Sequence, residues 1–276
     1  MGAPSNPAVP QVSVVIPTYN RCEDCKRAVS SVLAQEPPPL EVLVCDDGSS
    51  DGTQVEFLRW QESEPRLRYL RIEPNRGTPG PVRNEGAKAA RGDWVAFLDD
   101  DDRWLPGKLA AQLPFIGAED VDVIAGDAIR SNGERYFGAN GGPRFPSRAE
   151  VERDNPVIVS SSLVRRSMLM RVGGFDERPE IAGVADYELW LRLADEDASF
   201  AILDMPLIEY ADAGTDHMSA STLRMQFSLL RVRFRRWLKS PTDRRLLISL
   251  LREAYFTGVL TARRRPIRLR TLQSEA

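Results

Sequence analysis

Histidine and cysteine are scarce in this chain, with one of the former and three of the latter among 276 residues. An odd cysteine count speaks against a disulfide framework. Cys22 and Cys25 form one CxxC, but no second pair, nearby histidine or thioredoxin-like context accompanies it. They read as small residues at the start of a helix, and Cys45 as part of a buried strand. No apolar run has the length that crosses a bilayer, and the opening MGAPSNPAVPQ lacks the basic-then-apolar layout of a signal peptide. Asn6 stands where a myristoylation signal has Ser or Thr, so the Met-Gly start is not read as one. These absences predict a cytoplasmic chain.

What is present is ordinary for a globular protein, 42% hydrophobic and 28% charged residues. The charge is unevenly spread. Between Arg224 and Arg270 there are 14 Lys or Arg against Asp243 and Glu253, so this segment carries +12 and the remainder −15 within a net −3. The tail interleaves those cations with Leu229, Leu230, Val232, Phe234, Trp237 and Leu238 in two amphipathic helices, Thr222 to Lys239 and Arg244 to Phe256. That composition suits adsorption to an anionic membrane surface and equally suits packing on an acidic body. Nucleic-acid binding is the weaker reading, since no recognised module accompanies the charge.

Val12–Ile16 is a β-branched run stopped by Pro17, the mark of a buried strand. A helix is predicted from about Cys22 to Gln35, a strand from Leu40 to Cys45, and a helix through Phe57 to Glu62. A strand from Leu67 to Ile72, a helix from about Val82 to Ala90 and the apolar strand Trp94 to Leu98 follow. Strands alternating with helices at this spacing predict an α/β fold, a mostly parallel sheet covered on both faces, with ligands outside the carboxyl ends of the strands. The second half is less regular. Strands are expected at Asp122–Ile129, Val157–Val164 and, briefly, Phe200–Leu203, with an exposed loop around GANGGP and a helix over about Val184–Glu196.

Polar residues follow those strand ends: Pro17, Thr18, Tyr19 and Asn20 the first, Asp46 and Asp47 the second, Asp99 to Asp102 the central one. Four successive aspartates are costly unless a cation neutralises them. Carboxylates without His or Cys beside them suit a hard ion, Mg²⁺ or Mn²⁺, whose shell phosphate oxygens and waters complete. An acidic turn capping a helix that starts near Leu105 would use one aspartate and leave the others unexplained. Ser49, Ser50 or Asp51 is expected to cap the helix after DDGSSDGT, leaving Asp46 and Asp47 free to face a ligand. Asp186, Leu189, Trp190 and Leu193 share one helical face, which turns Asp186 inward as a general base or a helix cap. Glu188 pairs with Arg192 at i, i+4 in a solvated-face arrangement. His217, in a DHMS loop, is either a loop residue or a contact to phosphate or metal. Arg76 and Arg83 flank a Gly/Pro loop entering a helix, as phosphate neighbours or as surface arginines.

Five segments, VSVVIPTYNR, EVLVCDDGSSDGT, NRGTPGPVRNEGAKAARGDWVAFLDDDDRWLPGKL, VGGFDE and DYELWLRLA, occur in this order over roughly residues 11–215. Together they resemble family 2 glycosyltransferases, inverting enzymes of the GT-A fold. The resemblance implies a GT-A domain over 1–220, its nucleotide-binding part about 11–115 and acceptor part about 116–220; the basic helical extension over 221–276, read from its charge, lies outside it. It implies that Pro17 and Tyr19 lie against the nucleotide base, that Asp47 hydrogen-bonds it, and that Thr18 and Asp46 line the same donor site. It places Asp99, Asp100 and Asp101 at the DxD position, Asp100 near the ribose and Asp101 as main metal ligand; Asp99 and, from its own loop, His217 are the further candidate metal ligands. Asp186 falls at the catalytic base, although Ala185 stands where the family carries Glu. The implied reaction takes a UDP- or dTDP-sugar and, with Mn²⁺ or Mg²⁺, gives it to a glycan, lipid-linked glycan or small-molecule acceptor; the basic tail adds the expectation of peripheral contact at the inner membrane face. Two alternatives stay open. A nucleotidyltransferase would show a Gly-rich phosphate loop after the first strand, which PTYNR lacks; a non-catalytic sugar-nucleotide-binding scaffold would not need Asp186.

Overall fold

The computed structural model describes residues 11–116, 121–211 and 222–263. The chain divides into two compact units, Met1–Thr215 and Asp216–Ala276.

The first unit is built on one eight-stranded sheet of order β3-β2-β1-β4-β7-β6-β8-β5. Its strands are β1 (Val12–Thr18), β2 (Glu41–Asp46), β3 (Leu67–Arg71), β4 (Trp94–Phe97), β5 (Arg103–Trp104), β6 (Val123–Arg130), β7 (Leu163–Arg165) and β8 (Phe200–Tyr210). Parallel pairing joins β1 to β2 and β4, β2 to β3, and β6 to β8; β7 and β5 run against the rest. Every residue of β1, β2 and β4 is buried. That is why these runs read as continuously apolar instead of alternating.

Helices cover both faces of the sheet. Helix α1 (Cys22–Leu33) buries Cys25, Ala28, Val29 and Val32 at i, i+3, i+4 and i+7. With Phe57 of α2 (Thr53–Ser63) they join the core made by Val12, Val14 and Ile16. The alternate residues of β1 and β2 meet α3 (Pro79–Ala89) on the other face. There Gly86 lets the helix approach so closely that an added Cβ would lie 2.7 Å from the Cys45 sulfur and against Val15. Helix α4 (Lys108–Ile116) begins three residues beyond the predicted start near Leu105. Short helices α5 (Arg148–Arg153) and α6 (Arg166–Arg171), then α7 (Ala185–Asp195), complete the unit.

Two predicted elements differ from the structure. The expected strand Val157–Val164 is a 3-10 turn at Val159–Ser161 followed by the three-residue β7. Its serines are buried and hydrogen-bond locally, Ser161 Oγ to the Ile158 carbonyl and Ser162 Oγ to the Val159 carbonyl, which competes with a ladder. The expected short strand Phe200–Leu203 continues to Tyr210, because a register shift near Asp127 absorbs Asp204 and Met205 and pairing resumes beyond it.

The second unit holds α8 (Thr222–Lys239) and α9 (Arg244–Arg263). No helix among the described residues is long and apolar enough to cross a membrane.

Gly86→Ala forces Val15 and Cys45, both fully buried, to move. We expect a loss of about 1–3 kcal/mol, as for other overpacked cores, read as a lower urea midpoint. An unchanged midpoint contradicts this packing.

Candidate active site

The carboxyl ends of β1, β2 and β4 converge. The Asp47 N–H donates to the Thr18 carbonyl at 2.9 Å, and the Thr18 hydroxyl donates to Asp100 Oδ2 at 2.8 Å. Arg21, at the entry to α1, sets Nη1 2.7 Å from Asp101 Oδ2 and 3.5 Å from Asp100 Oδ1. On the other flank Arg83 of α3 is paired with Asp99, and its guanidinium lies 5.2 Å from the Phe175 ring centre. Four carboxylates thus face two guanidinium groups.

Burial sharpens the imbalance. Asp100 is 8% exposed, and burial with the neighbouring carboxylates raises its pKa to about 7 against the help of Thr18 and Arg21. Asp102 is 2% exposed and is raised to about 8 by burial and the Asp99 charge. Its Oδ1 accepts the Ala211 N–H at 2.9 Å, while Oδ2 has no hydrogen-bond partner. Asp99 and Asp101 are the accessible members, their side chains 32% and 21% exposed. Ser160 anchors the turn by accepting the Asp99 N–H at 3.1 Å.

Asp186 sits in the first turn of α7, half-buried. Burial raises its pKa, the first-turn N–H of Tyr187 and the charge of Arg83 lower it, and the charge of Asp99 raises it again. Arg83 therefore stands between two carboxylates contributed by β4 and α7. The N-cap of α7 is Val184 and makes no side-chain cap bond, so Asp186 is not the N-cap residue. The face argument needs correcting: α7 is buried nearly all round, and Glu188, expected on a solvated face, is buried too. Its pair with Arg192 exists at 2.7 Å, but Arg192 also donates to the Val172 and Gly174 carbonyls and so ties α7 to the turn after α6.

Other expected site residues are distributed unequally. Asp46 and Asp47 do not face a ligand freely. Asp46 is fully buried and accepts from the Ser49 N–H at 2.8 Å and from the Tyr69 hydroxyl, with Arg71 3.6 Å away. Asp47 accepts the Arg76 and Gly77 N–H groups at 2.7 and 3.0 Å. Arg76 enters through that backbone contact while its side chain is exposed. Arg83 is not a surface arginine, its side chain being 6% exposed. Thr18 is buried and its hydroxyl is committed to Asp100. Pro17 is buried opposite Cys45, and Tyr19 is 51% exposed at the strand end. Asp51 serves α2 from the position before its N-cap Gly52, accepting the Thr53 N–H at 3.2 Å, and also takes the Cys22 N–H at 3.0 Å. His217 lies outside the described residues.

Sequence reasoning passed over Arg21, Asn84, Ser160 and Tyr210. Arg21 and Asn84 lie inside the quoted segments, so their position was the available signal. Asn84 clamps the VGGFDE turn, donating to the Phe175 carbonyl and Glu177 at 2.9 Å each and accepting the Phe175 N–H at 2.7 Å. That turn needs Gly173 and Gly174, both at positive φ. A hollow of about 490 Å³ at the N-termini of α1 and α2 is lined by Arg21 and by Glu23, Asp24, Asp51 and Glu56. Four carboxylates make it a poor seat for a diphosphate.

With an ordinary value of 3.8 in the unfolded chain and about 7 and 8 when folded, Asp100 and Asp102 hold protons the unfolded chain has released. Their contribution to stability is complete below 3.8 and is lost as pH rises through the folded values. In EDTA the melting temperature is expected to fall between about pH 5 and pH 8, and Asp102→Asn to flatten that fall. An equal slope in the variant contradicts the burial of an uncompensated Asp102.

Comparison with known proteins bears on this arrangement. A model of glycosyl transferase family 2 matches residues 13–173, more than half of the chain. The succinoglycan biosynthesis protein ExoO of Rhizobium meliloti (strain 1021) is 38% identical over 173 residues, 60% of this chain and 47% of ExoO, so the chain spans about half of that relative. WfgD of Escherichia coli, a UDP-Glc:α-D-GlcNAc-diphosphoundecaprenol β-1,3-glucosyltransferase, is 37% identical over 191 residues, 69% of this chain and 72% of WfgD. Among solved structures, S. aureus TarS 1–349 in complex with UDP-GlcNAc superposes with a TM-score of 0.67 at 20% identity, covering 82% of this chain and 66% of that one. The mannosyltransferase PcManGT of Pyrobaculum calidifontis, in complex with GDP-Man and Mn²⁺, gives 0.65 at 19% identity, covering 94% and 76%. These structures share the GT-A fold, a mixed sheet with flanking helices, and by the match from β1 through α6 the chain belongs to glycosyl transferase family 2.

Proposed function

We propose that the chain moves a sugar from a nucleoside diphosphate sugar, UDP- or dTDP-linked, to an acceptor hydroxyl with inversion at the anomeric carbon. The observation that carries this reading is that Arg83, paired with Asp99, also acts electrostatically on Asp186, as does Asp99 itself, so a half-buried carboxylate lies within reach of the field of a crowded acidic turn. Asp186 accepts the proton of the acceptor hydroxyl as its oxygen bonds to the anomeric carbon and the bond to the diphosphate oxygen breaks. Burial raises its pKa and so makes it a stronger base than an exposed aspartate, a rise that the Arg83 charge opposes. Attack from the face opposite the leaving group turns an α-linked donor into a β-linked product, as the α-configured UDP-Glc and β-1,3 product of WfgD would require. The absence of a Gly-rich loop after β1 disfavours a nucleotidyltransferase.

A divalent cation fits the acidic turn on the charge balance. The turn has two carboxyl groups beyond the two paired with guanidinium groups, and these, Asp100 and Asp102, hold protons that a cation would displace; Asp102 has an unpartnered buried oxygen, and Asp101 and Asp99 have accessible ones. Among the described residues no three His, Cys, Asp or Glu side chains are placed to hold a metal together. Few protein ligands are expected where phosphate oxygens and waters fill the shell. Mn²⁺ or Mg²⁺ held by Asp101 and Asp99 would supply positive charge to the departing diphosphate. We assign to Asp47 the imide N–H that uracil and thymine share, since a carboxylate that accepts the Arg76 and Gly77 N–H groups keeps further lone pairs.

The acceptor we infer is lipid-linked, as WfgD's diphosphoundecaprenol acceptor suggests, and the second unit supports contact with an anionic membrane. Its polarity is inverted. Arg233, Glu253 and Ser249 pair in the buried contact between α8 and α9, whereas Phe227, Phe234, Leu238, Leu247, Ile248, Leu251, Tyr255 and Phe256 are exposed. Exposed Arg231, Lys239, Arg244 and Arg245 surround them. Arg245 is paired with Asp243, and apolar rings among exposed cations match the interface of an acidic bilayer.

Two experiments test these readings. With Mn²⁺ and UDP-sugars, Asp186→Asn is expected to lose about 10²–10⁴-fold in donor turnover while binding UDP normally. A variant that binds and turns over like the wild type removes Asp186 as the base. Deleting residues 222–270 is expected to abolish partition to vesicles rich in phosphatidylglycerol, and unchanged partition disposes of the membrane role.

A further inference from the structure

Across the acidic turn from Thr18 and Arg21, the ends of β6 and β8 lie side by side with Arg130 in register with Tyr210. The chain leaves β6, turns at Gly133 and returns with Tyr136, whose N–H donates to the Ala128 carbonyl at 2.9 Å. Three rings gather edge to face, with centroid separations of 5.0 Å for Tyr136–Phe137 and 5.7 Å for Tyr136–Tyr210. The Arg130 guanidinium lies over the Tyr136 ring, 4.3 Å from its centre. This cluster adjoins the reacting corner. Ala211, next to Tyr210, donates to Asp102, and burial with the charges of Asp102, Asp99 and Asp186 raises the Tyr210 pKa.

Two arginines here have different fates. Arg135 is committed, its Nε 2.8 Å from Asp127 and its Nη2 2.6 Å from Asp204, and Asp204 in turn accepts the Asn140 and Gly142 N–H groups at 2.9 Å. That network fixes the loop carrying Tyr136. Arg130 uses its backbone N–H on the Glu134 carbonyl and its guanidinium on the Tyr136 ring, with no ion pair among the described residues. A guanidinium laid on a ring has its plane fixed and its edge N–H groups available, the geometry that receives phosphate oxygens two at a time.

We propose that Arg130, seated over the Tyr136 ring beside Tyr210, binds a phosphate or diphosphate carried at the anomeric carbon of the acceptor sugar. This rests on the glycosyl-transfer reading above and deepens it by naming the group that distinguishes the acceptor. The rest of this edge is rich in carboxylates, which repel an anion. The cations near the nucleotide side, Arg21 and Arg83, are already paired with aspartates. Among the described residues no carboxylate is paired with Arg130, the cation beside Tyr210, so it selects a phosphorylated acceptor over a neutral one. Tyr136 is a positioning residue, since its ring sets the plane of the fork.

Calorimetry with three probes, each titrated with and without UDP and Mn²⁺, tests this. The probes are GlcNAc diphosphate on a short alkyl chain, GlcNAc 1-phosphate, and octyl GlcNAc glycoside. The wild type is expected to favour the two phosphorylated probes by about tenfold or more, the value of a charge-assisted hydrogen bond. Arg130→Gln should erase that preference, Arg130→Lys should restore part of it, and Tyr136→Leu should weaken it, all with UDP affinity unchanged. Comparable affinity for the two phosphorylated probes supports recognition of phosphate itself, and tighter binding of the alkyl diphosphate supports a lipid-linked source. A wild type that binds the neutral glycoside as tightly, or no probe at all, overturns the proposal, as does an Arg130→Gln protein that keeps the preference. Failure of the wild type to bind UDP strikes the donor reading, while the probe preference without UDP is still read separately.

Discussion

Charge imbalance at the end of β4 is the constraint around which the first unit is arranged. A strand buried at every residue delivers Asp99 to Asp102 in succession, and two guanidinium groups stand against them. Buried like charges cost free energy unless something neutralises them, and two of these carboxylates respond by holding their protons to near-neutral or mildly alkaline pH. The surrounding residues follow from this. Thr18 donates to Asp100, Ser160 steadies the turn, and Ala211 brings the end of β8 onto Asp102. A corner so constructed is predisposed to receive positive charge.

The second dependence runs through α3. Its close approach at Gly86 sets the helix against β1 and β2, and one turn earlier Arg83 and Asn84 both meet Phe175, one at its ring and the other at its backbone. Arg83 goes to Asp99 and influences Asp186; Asn84 holds the Gly-Gly turn that precedes Phe175 and Glu177. A single buried helix thereby connects the acidic turn, the turn after α6 and the start of α7. The carboxylate on α7 owes its placement to these contacts more than to the amphipathic pattern of its own helix, which is buried nearly all round.

Much of the fold was legible because the first half obeys simple periodicity. Fully buried parallel strands write themselves as β-branched runs, and α1 shows its buried stripe at helical spacing. The second half was less so. Buried serines that bond to nearby carbonyls disguise a 3-10 turn as a strand, and the irregular pairing near Asp204 interrupts β8 where polarity suggested an end. At the candidate site the acidic turn and Asp186 could be picked out, since charge against an apolar strand and an acid on a helical stripe are local signals. The commitments of Asp46 and Asp47 were not, because their donors, Ser49, Tyr69, Arg76 and Gly77, come from turns and from a neighbouring strand. Nor did spacing reveal Arg130, whose neighbours Tyr136 and Tyr210 meet it only through a turn and a distant strand.

The central claim is that the aspartates behind β4 hold a nucleoside diphosphate through a divalent cation. Titrating UDP into the wild type and into Asp101→Asn, each in Mn²⁺ and in EDTA, tests it most directly. The account predicts binding by the wild type in Mn²⁺ that weakens by about tenfold or more in EDTA and in the variant. UDP bound with equal affinity in all four conditions would contradict it.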